Sequence, residues 1–198
     1  TIFGGNVVSH TVSSYEGIGG GLYVQSSSEV ELYNVIFDQN TSTHKGGAFA
    51  SDSNTSLLIQ NNHFLSNEAS DGGGLYLEST SSTIKNNIFA YHTGAAIYAT
   101  ASVSPTYNDW YQNSSDAGGS ASFATSSSGN ITSDPNLSGY TADGVFTDDY
   151  SLTSASALID AGDPALFDTD GSVSDIGAFG GGTLLDSDGD GFSGIVDC

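Results

Sequence analysis

The chain of 198 residues contains no arginine and no methionine, and Lys45 and Lys85 are its only lysines. Against them stand 23 Asp and Glu, for a formal net charge of −21. Such a surface repels polyanions, which argues against nucleic acid or anionic polysaccharide as a partner. Cysteine occurs once, at Cys198, so no internal disulfide can staple the fold. No apolar run reaches the ~18 residues that would suggest a membrane span, and no secretory signal stands at the N-terminus. Aliphatic residues are thinly spread while Gly takes 26 positions, which disfavours a helical domain or a large globular core.

What the chain does have is a repeat. Phe3-Gly4-Gly5-Asn6, Phe37-Asp38-Gln39-Asn40 and Phe64-Leu65-Ser66-Asn67 share an F-x-x-N step. Each is followed by a glycine-rich step into an apolar run, at Gly19 to Tyr23, Gly46 to Phe49 and Gly72 to Tyr76. Looser copies start at Phe89 and Trp110. The anchors lie 34, 27, 25 and 21 residues apart, so strands are kept while loops vary in length. Three short runs of period-two alternation fall in each unit. The pattern predicts an all-β fold: a right-handed parallel β-helix of three strands per coil and about five coils, each strand bonded to its equivalents ~4.8 Å above and below. Residues 1–133 hold the repeats, 134–182 an irregular closing segment and 183–198 an Asp-rich end. The missing initiating Met and a start inside a repeat suggest a piece of a longer secreted precursor.

One coil cannot cover its own inward face, so burial depends on stacking. Leu22, Val24, Ala48, Ala50, Leu75, Leu77, Ile97 and Ala99 are expected inside, with Phe37, Phe64 and Phe89 piled in a column. Asn34, Asn61 and Asn86 each stand three residues before a Phe. Asn tolerates the left-handed corner conformation, and stacked amides can bond along the axis, so these three are expected to form a ladder. Tyr23, Phe49, Tyr76 and Tyr98 are expected to share an outward register as an aromatic stripe, a packing face or a platform for sugar. The histidines His10, His44, His63 and His92 fall at different registers and read as surface or corner residues. Trp110, in Asn108-Asp109-Trp110, aligns with the repeat Phe and reads as core.

Residues 134–198 hold 13 Asp and neither Lys nor Arg. From Asp186, carboxylates fall at positions 1, 3, 5 and 12 (Asp186, Asp188, Asp190, Asp197), with Gly191 at 6 and Phe192 at 7 as a carbonyl donor. That is the spacing of an EF-hand-type calcium loop with Asp in place of the final Glu. Carboxylates ~5 Å apart repel by roughly 3 kcal/mol per pair at an effective dielectric of 20, so the loop should close only around a divalent cation. Asp168, Asp170 and Asp175 form a weaker echo of the pattern.

The F-x-x-N and glycine-rich steps resemble the repeats of polymorphic outer-membrane proteins and other bacterial cell-surface β-helices. Residues 134–182 resemble the closing segment of many secreted right-handed β-helix proteins. The Asp186 to Cys198 end is similar to D-x-D-G-D-G metal-binding motifs that follow such domains, and to thrombospondin type 3 repeats. The resemblance implies a non-enzymatic structural or adhesive module of a bacterial cell surface or extracellular matrix, stabilised by calcium and self-associating end to end or laterally. The alternative is a carbohydrate-binding or polysaccharide-degrading β-helix. Pectate-lyase-like members use Arg or Lys beside calcium, and polygalacturonase-like ones need Gly-His-Gly and Arg-Ile-Lys motifs; neither set is found. Calorimetric titration with calcium should show binding that disappears in Asp188→Ala, and unchanged binding would move the site away from this loop.

Overall fold

In the computed structural model, residues 1–9, 17–25, 29–53, 56–78 and 81–181 are described. Fifteen short strands occur among them. The first eight are β1 (Ile2–Gly4), β2 (Val7–Val8), β3 (Leu22–Val24), β4 (Glu29–Tyr33), β5 (Ile36–Asp38), β6 (Thr41–Ser42), β7 (Phe49–Ser51) and β8 (Ser56–Gln60). The rest are β9 (His63–Leu65), β10 (Leu75–Leu77), β11 (Ser81–Lys85), β12 (Ile88–Ala90), β13 (Ala95–Ala99), β14 (Asp109–Tyr111) and β15 (Ser115–Gly119). All pair in parallel across coils, and three faces result. Face one has the order β1-β5-β9-β12-β14, face two β3-β7-β10-β13-β15 and face three β4-β8-β11, with β2-β6 as a short extra pair.

The register places like over like. Phe3, Phe37, Phe64, Phe89 and Trp110 occupy one position on face one. Their rings stack with centroids 5.0, 5.2, 4.9 and 4.8 Å apart and planes within 9°. Offset stacking at this spacing adds ~0.5–1.5 kcal/mol per pair beyond burial. Phe123 closes the column, tilted 39° against Trp110 at 4.7 Å.

Coils this close leave room only for particular corners. Gly46 and Gly72 take positive φ, at 61° and 72°. The glycine that follows serves close approach: a Cβ on Gly47 would lie 2.4 Å from the carbonyl oxygen of Gly73. Asn34, Asn61 and Asn86 are left-handed as expected, at φ 53°, 52° and 57°. Their side chains do not form the expected ladder. The left-handed residue turns its amide out of the coil, and the ladder belongs to the residue that follows. Asn62 donates from Nδ2 to Oδ1 of Asn87 at 3.0 Å, and Asn87 to Asn108 at 2.9 Å. A second ladder joins Asn6, Asn40 and Asn67 of the F-x-x-N steps, at 2.8 and 2.9 Å.

Two expectations for face two are corrected. Phe49 pairs with Leu22 and Leu75 and is fully buried, while Ala50 takes the outward register between Tyr23 and Tyr76. Gly46 aligns with Gly72, so Phe49 matches Leu75; matching Phe49 to Tyr76 slips the strand by one residue and exchanges its faces.

Residues 121–131 cross the C-terminal end of the coils. Ala121 and Trp110 lie in one core, with Phe123 packed against it. Residues 134–181 then run along the outside of face one as a strap. There Ile36, Leu65, Ile88 and Ala90 meet Tyr150, Leu158, Ile176 and Ala178 in a second core. The outward amides of Asn34, Asn61 and Asn86 hold this strap. Asn34 Nδ2 donates to the carbonyls of Ala178 and Gly180 at 2.8 and 2.9 Å, and Asn61 Nδ2 to that of Asp175 at 3.0 Å. Asn86 Oδ1 accepts the N–H of Asp163 at 2.9 Å. The hydroxyls of Tyr140 and Tyr150 donate to the buried carboxylate of Asp38 at 3.0 and 2.9 Å.

Candidate functional site

While the strap covers the outside of face one, the outside of face two carries an open cleft of about 350 Å³. Its walls are Tyr23 and Tyr76, with Lys45, Asp52 and Glu78 around them and His44 alongside. Strands β3, β7 and β10 set these positions, and period-two alternation brings the acids to the same side: Asp52 lies two residues after Ala50, and Glu78 two after Tyr76.

The polar groups are tied together. Tyr23 donates its hydroxyl to Asp52 at 3.3 Å, and Lys45 Nζ lies 3.8 Å from a Glu78 carboxylate oxygen. Lys45 Nζ also sits 4.4 Å from the centroid of the Tyr76 ring, a cation–π contact. Tyr98 stacks on Tyr76 at 5.6 Å with an interplanar angle of 14°. Burial pulls the Lys45 ammonium down, but Tyr76, Glu78 and Asp71 outweigh it and hold the group above its ordinary range. Partial burial, then the Asp52 carboxylate, raises the Tyr23 phenol. The cleft thus offers the exposed Tyr23 ring, hydrogen-bond acceptors and one protonated amine, while Tyr76 lies buried between Tyr98 and Lys45.

Three members of the expected stripe, Tyr23, Tyr76 and Tyr98, share the outward register; Phe49 does not. Lys45, Asp52 and Glu78 were not anticipated as partners of that stripe, although counting by twos from the outward residues finds both acids. Asp186, Asp188, Asp190, Phe192 and Asp197 lie outside the described residues. Asp168, Asp170 and Asp175 belong to one loop, where each carboxylate accepts a backbone N–H. Asp168 accepts from Gly181 and Asp175 at 2.7 and 3.1 Å, Asp170 from Ser172 at 2.9 Å, and Asp175 from Asp160 at 2.8 Å. Among the described residues, no three His, Cys, Asp or Glu gather in an arrangement that could hold a metal ion.

The histidine expectation is corrected for two residues. His63 does point outward from its strand, yet the strap buries it fully, with Phe179 edge-on at 5.7 Å. His92 replaces Asn in the second ladder, and its Nδ1 accepts the N–H of Asn67 at 3.1 Å. Burial pushes both down to about 3, so they stay neutral at neutral pH.

A three-faced parallel coil with an outer strap and a solvent-open aromatic cleft defines a solenoid module. The family model for the right-handed β-helix region matches residues 1–150, and the chain belongs to that family. No curated protein and no solved structure matches the chain. No helix among the described residues is long and apolar enough to cross a membrane.

Asp109 tests the packing of chain against face one. It is buried, its Oδ1 accepts the N–H of Ser133 at 3.0 Å, and its Oδ2 has no partner. Burial, reinforced by Asp134 and Asp116, pushes the carboxyl up to about 7. A folded pKa above the unfolded one means that the stability it allows is complete below pH ~4 and is lost as pH rises through 7. Asp109→Asn should therefore gain stability over the parent at pH 8, by roughly 2–4 kcal/mol in urea denaturation, an advantage that shrinks as pH falls below 7 and is gone only below pH ~4. An advantage that does not change with pH would show that the carboxyl ionises alike in folded and unfolded chains.

Proposed function

We propose that this protein is a non-enzymatic adhesive module of an extracellular or bacterial cell-surface protein, a stiff solenoid that presents a binding cleft on face two. The observation that carries this reading is the placement of Tyr23 and Tyr76 with Asp52, Glu78 and Lys45 around one open cleft on neighbouring strands. A rigid sheet positions such groups more accurately than a loop would. The groups suit holding better than proton transfer. Lys45 is held protonated against Tyr76 and Glu78, and Tyr23 is tied to Asp52.

Calcium at the Asp186 to Asp197 loop belongs to the same reading, on the strength of its carboxylate spacing. Head-to-tail filament growth has less support, because residues 121–131 lie across the C-terminal end of the coils with Phe123 on Trp110.

Sedimentation with insoluble neutral polysaccharides tests the reading. The protein should partition into the pellet while releasing no reducing ends or unsaturated sugars. Release of either product would make it an enzyme, and failure to pellet with any such matrix would remove adhesion.

A further inference from the structure

We propose that the chain cuts itself at the Asp134–Pro135 peptide bond, where the coil passes into the strap, with the Asp134 carboxylate as the attacking group and the Asp109 carboxyl as the proton source. Two of the three prolines follow an aspartate, Pro135 after Asp134 and Pro164 after Asp163. An aspartate side chain reaches its own carbonyl carbon through a five-membered ring, and the proline nitrogen is a basic leaving group, so such bonds are the most acid-labile peptide bonds of a chain. The fold prepares the first of them. Tyr111 donates its hydroxyl to Asp134 Oδ2 at 3.1 Å, and the N–H of Asn136 donates to Oδ1 at 2.9 Å. Asn136 is left-handed, at φ 49°, and its Nδ2 donates at 3.3 Å to the Asp134 carbonyl oxygen, the atom that gains charge during attack. On the leaving side, the carbonyl of Pro135 accepts the Ser156 hydroxyl at 2.7 Å. Asp134 and Asn136 are exposed, so water reaches the bond.

Asp109, on β14, stands beside this bond. Its Oδ1 accepts the N–H of Ser133, the residue before Asp134, while its buried Oδ2 has no partner. Asp134, Asp116, Tyr91 and Tyr111 are its titratable neighbours, and none of them is a cation. Burial, reinforced by the two carboxylates, keeps the Asp109 proton in place up to about pH 7. A carboxylate placed to attack and a carboxylic acid placed to give a proton thus share one corner of face one. The Asp134 side-chain oxygen bonds to its own carbonyl carbon, the C–N bond breaks, and the Pro135 nitrogen takes the electron pair and the Asp109 proton. Water then opens the cyclic anhydride, which restores the Asp134 side chain, leaves a new α-carboxyl on that residue and returns a proton to Asp109. One water is consumed, and nothing is oxidised or reduced. The Asp163–Pro164 bond has a similar turn, with the Ala165 N–H on Asp163 Oδ1 at 3.0 Å and the Leu166 N–H on the carbonyl at 2.9 Å. Its carboxylate, however, is paired with Lys85 at 3.1 Å, which draws charge from the attacking oxygen and offers an ammonium in place of a carboxylic acid.

Mass spectrometry of the full chain, held folded at about pH 5.5 and unfolded only for analysis, tests the proposal. Pieces 1–134 and 135–198 should accumulate at least about tenfold faster than any cut at Asp163–Pro164. In chain kept unfolded in urea at the same pH, the two bonds should be cut within about threefold of each other. The folded rate should fall as pH rises through about 7, where Asp109 gives up its proton. Asp109→Asn removes a buried charge and should therefore fold, checked by circular dichroism, yet it should slow the cut by about tenfold or more and erase that fall. Asp134→Glu keeps the charge but would have to close a six-membered ring, and should stay whole. An uncut parent chain, or equal cutting of the two bonds in the folded chain, would overturn the proposal. Asp109→Asn with the parent's rate and pH profile would overturn the role given to Asp109.

Discussion

Every feature of this molecule depends on successive coils stacking in register at the spacing of hydrogen-bonded strands. At about 4.8 Å, a side chain meets its own equivalent above and below, so a residue that stacks well is favoured repeatedly along the axis. The aromatic column is the apolar expression of this constraint, and the Asn ladders are the polar one. Asn62 and Asn87 have no exposed surface, yet each finds an acceptor on the next coil and one on a backbone carbonyl. An amide would be costly inside a coil without that neighbour.

The same regularity creates a need on face one. Ile36, Leu65 and Ile88 point away from the coil interior, which leaves that sheet apolar on both sides. Residues 134–181 meet the need, but they contain little regular structure, so their backbone groups require partners outside themselves. The left-handed corner residues supply them. Asn34, Asn61 and Asn86 both turn the coil and clamp the strap. Face two needs no cover over Tyr23, because its hydroxyl and the Lys45 ammonium already have polar partners, and there the solvent reaches the aromatic wall.

Periodic features could be read from the residues because they recur at fixed spacing. The F-x-x-N step gave the phenylalanine column, and the Asn three residues before each Phe gave the left-handed corner. The Asn ladder lies one residue after the left-handed corner, because the sequence does not say which side of a corner turns inward. The side that Phe49 takes is ambiguous in sequence because Gly-Gly-Ala-Phe and Gly-Gly-Gly-Leu-Tyr can be aligned from either end, and only the glycine that takes positive φ fixes the choice. The strap was legible as a change in composition at 134 but not as a cover. Its contacts join residues more than a hundred positions apart, such as Asn34 and Gly180, without any repeat to announce them. The burial of His63 follows from that cover, so no local pattern could reveal it. The cleft was half legible: the tyrosines stood out, while Asp52 and Glu78 read as ordinary surface acids.

Register is most directly tested by disulfide trapping in a Cys198→Ser background. Leu58 and Thr83 are partners on β8 and β11, on the outer side of face three. Cysteines there would stand within the ~4.4–6.8 Å between Cα atoms that a disulfide spans. Leu58→Cys with Thr83→Cys should oxidise to an internal crosslink with the native circular dichroism spectrum. Leu58→Cys with Ser81→Cys, two residues out of register on the same side and ~8 Å apart, should remain reduced. Crosslinking of the second pair in preference to the first would contradict the stacked coil on which the column, the ladders and the cleft depend.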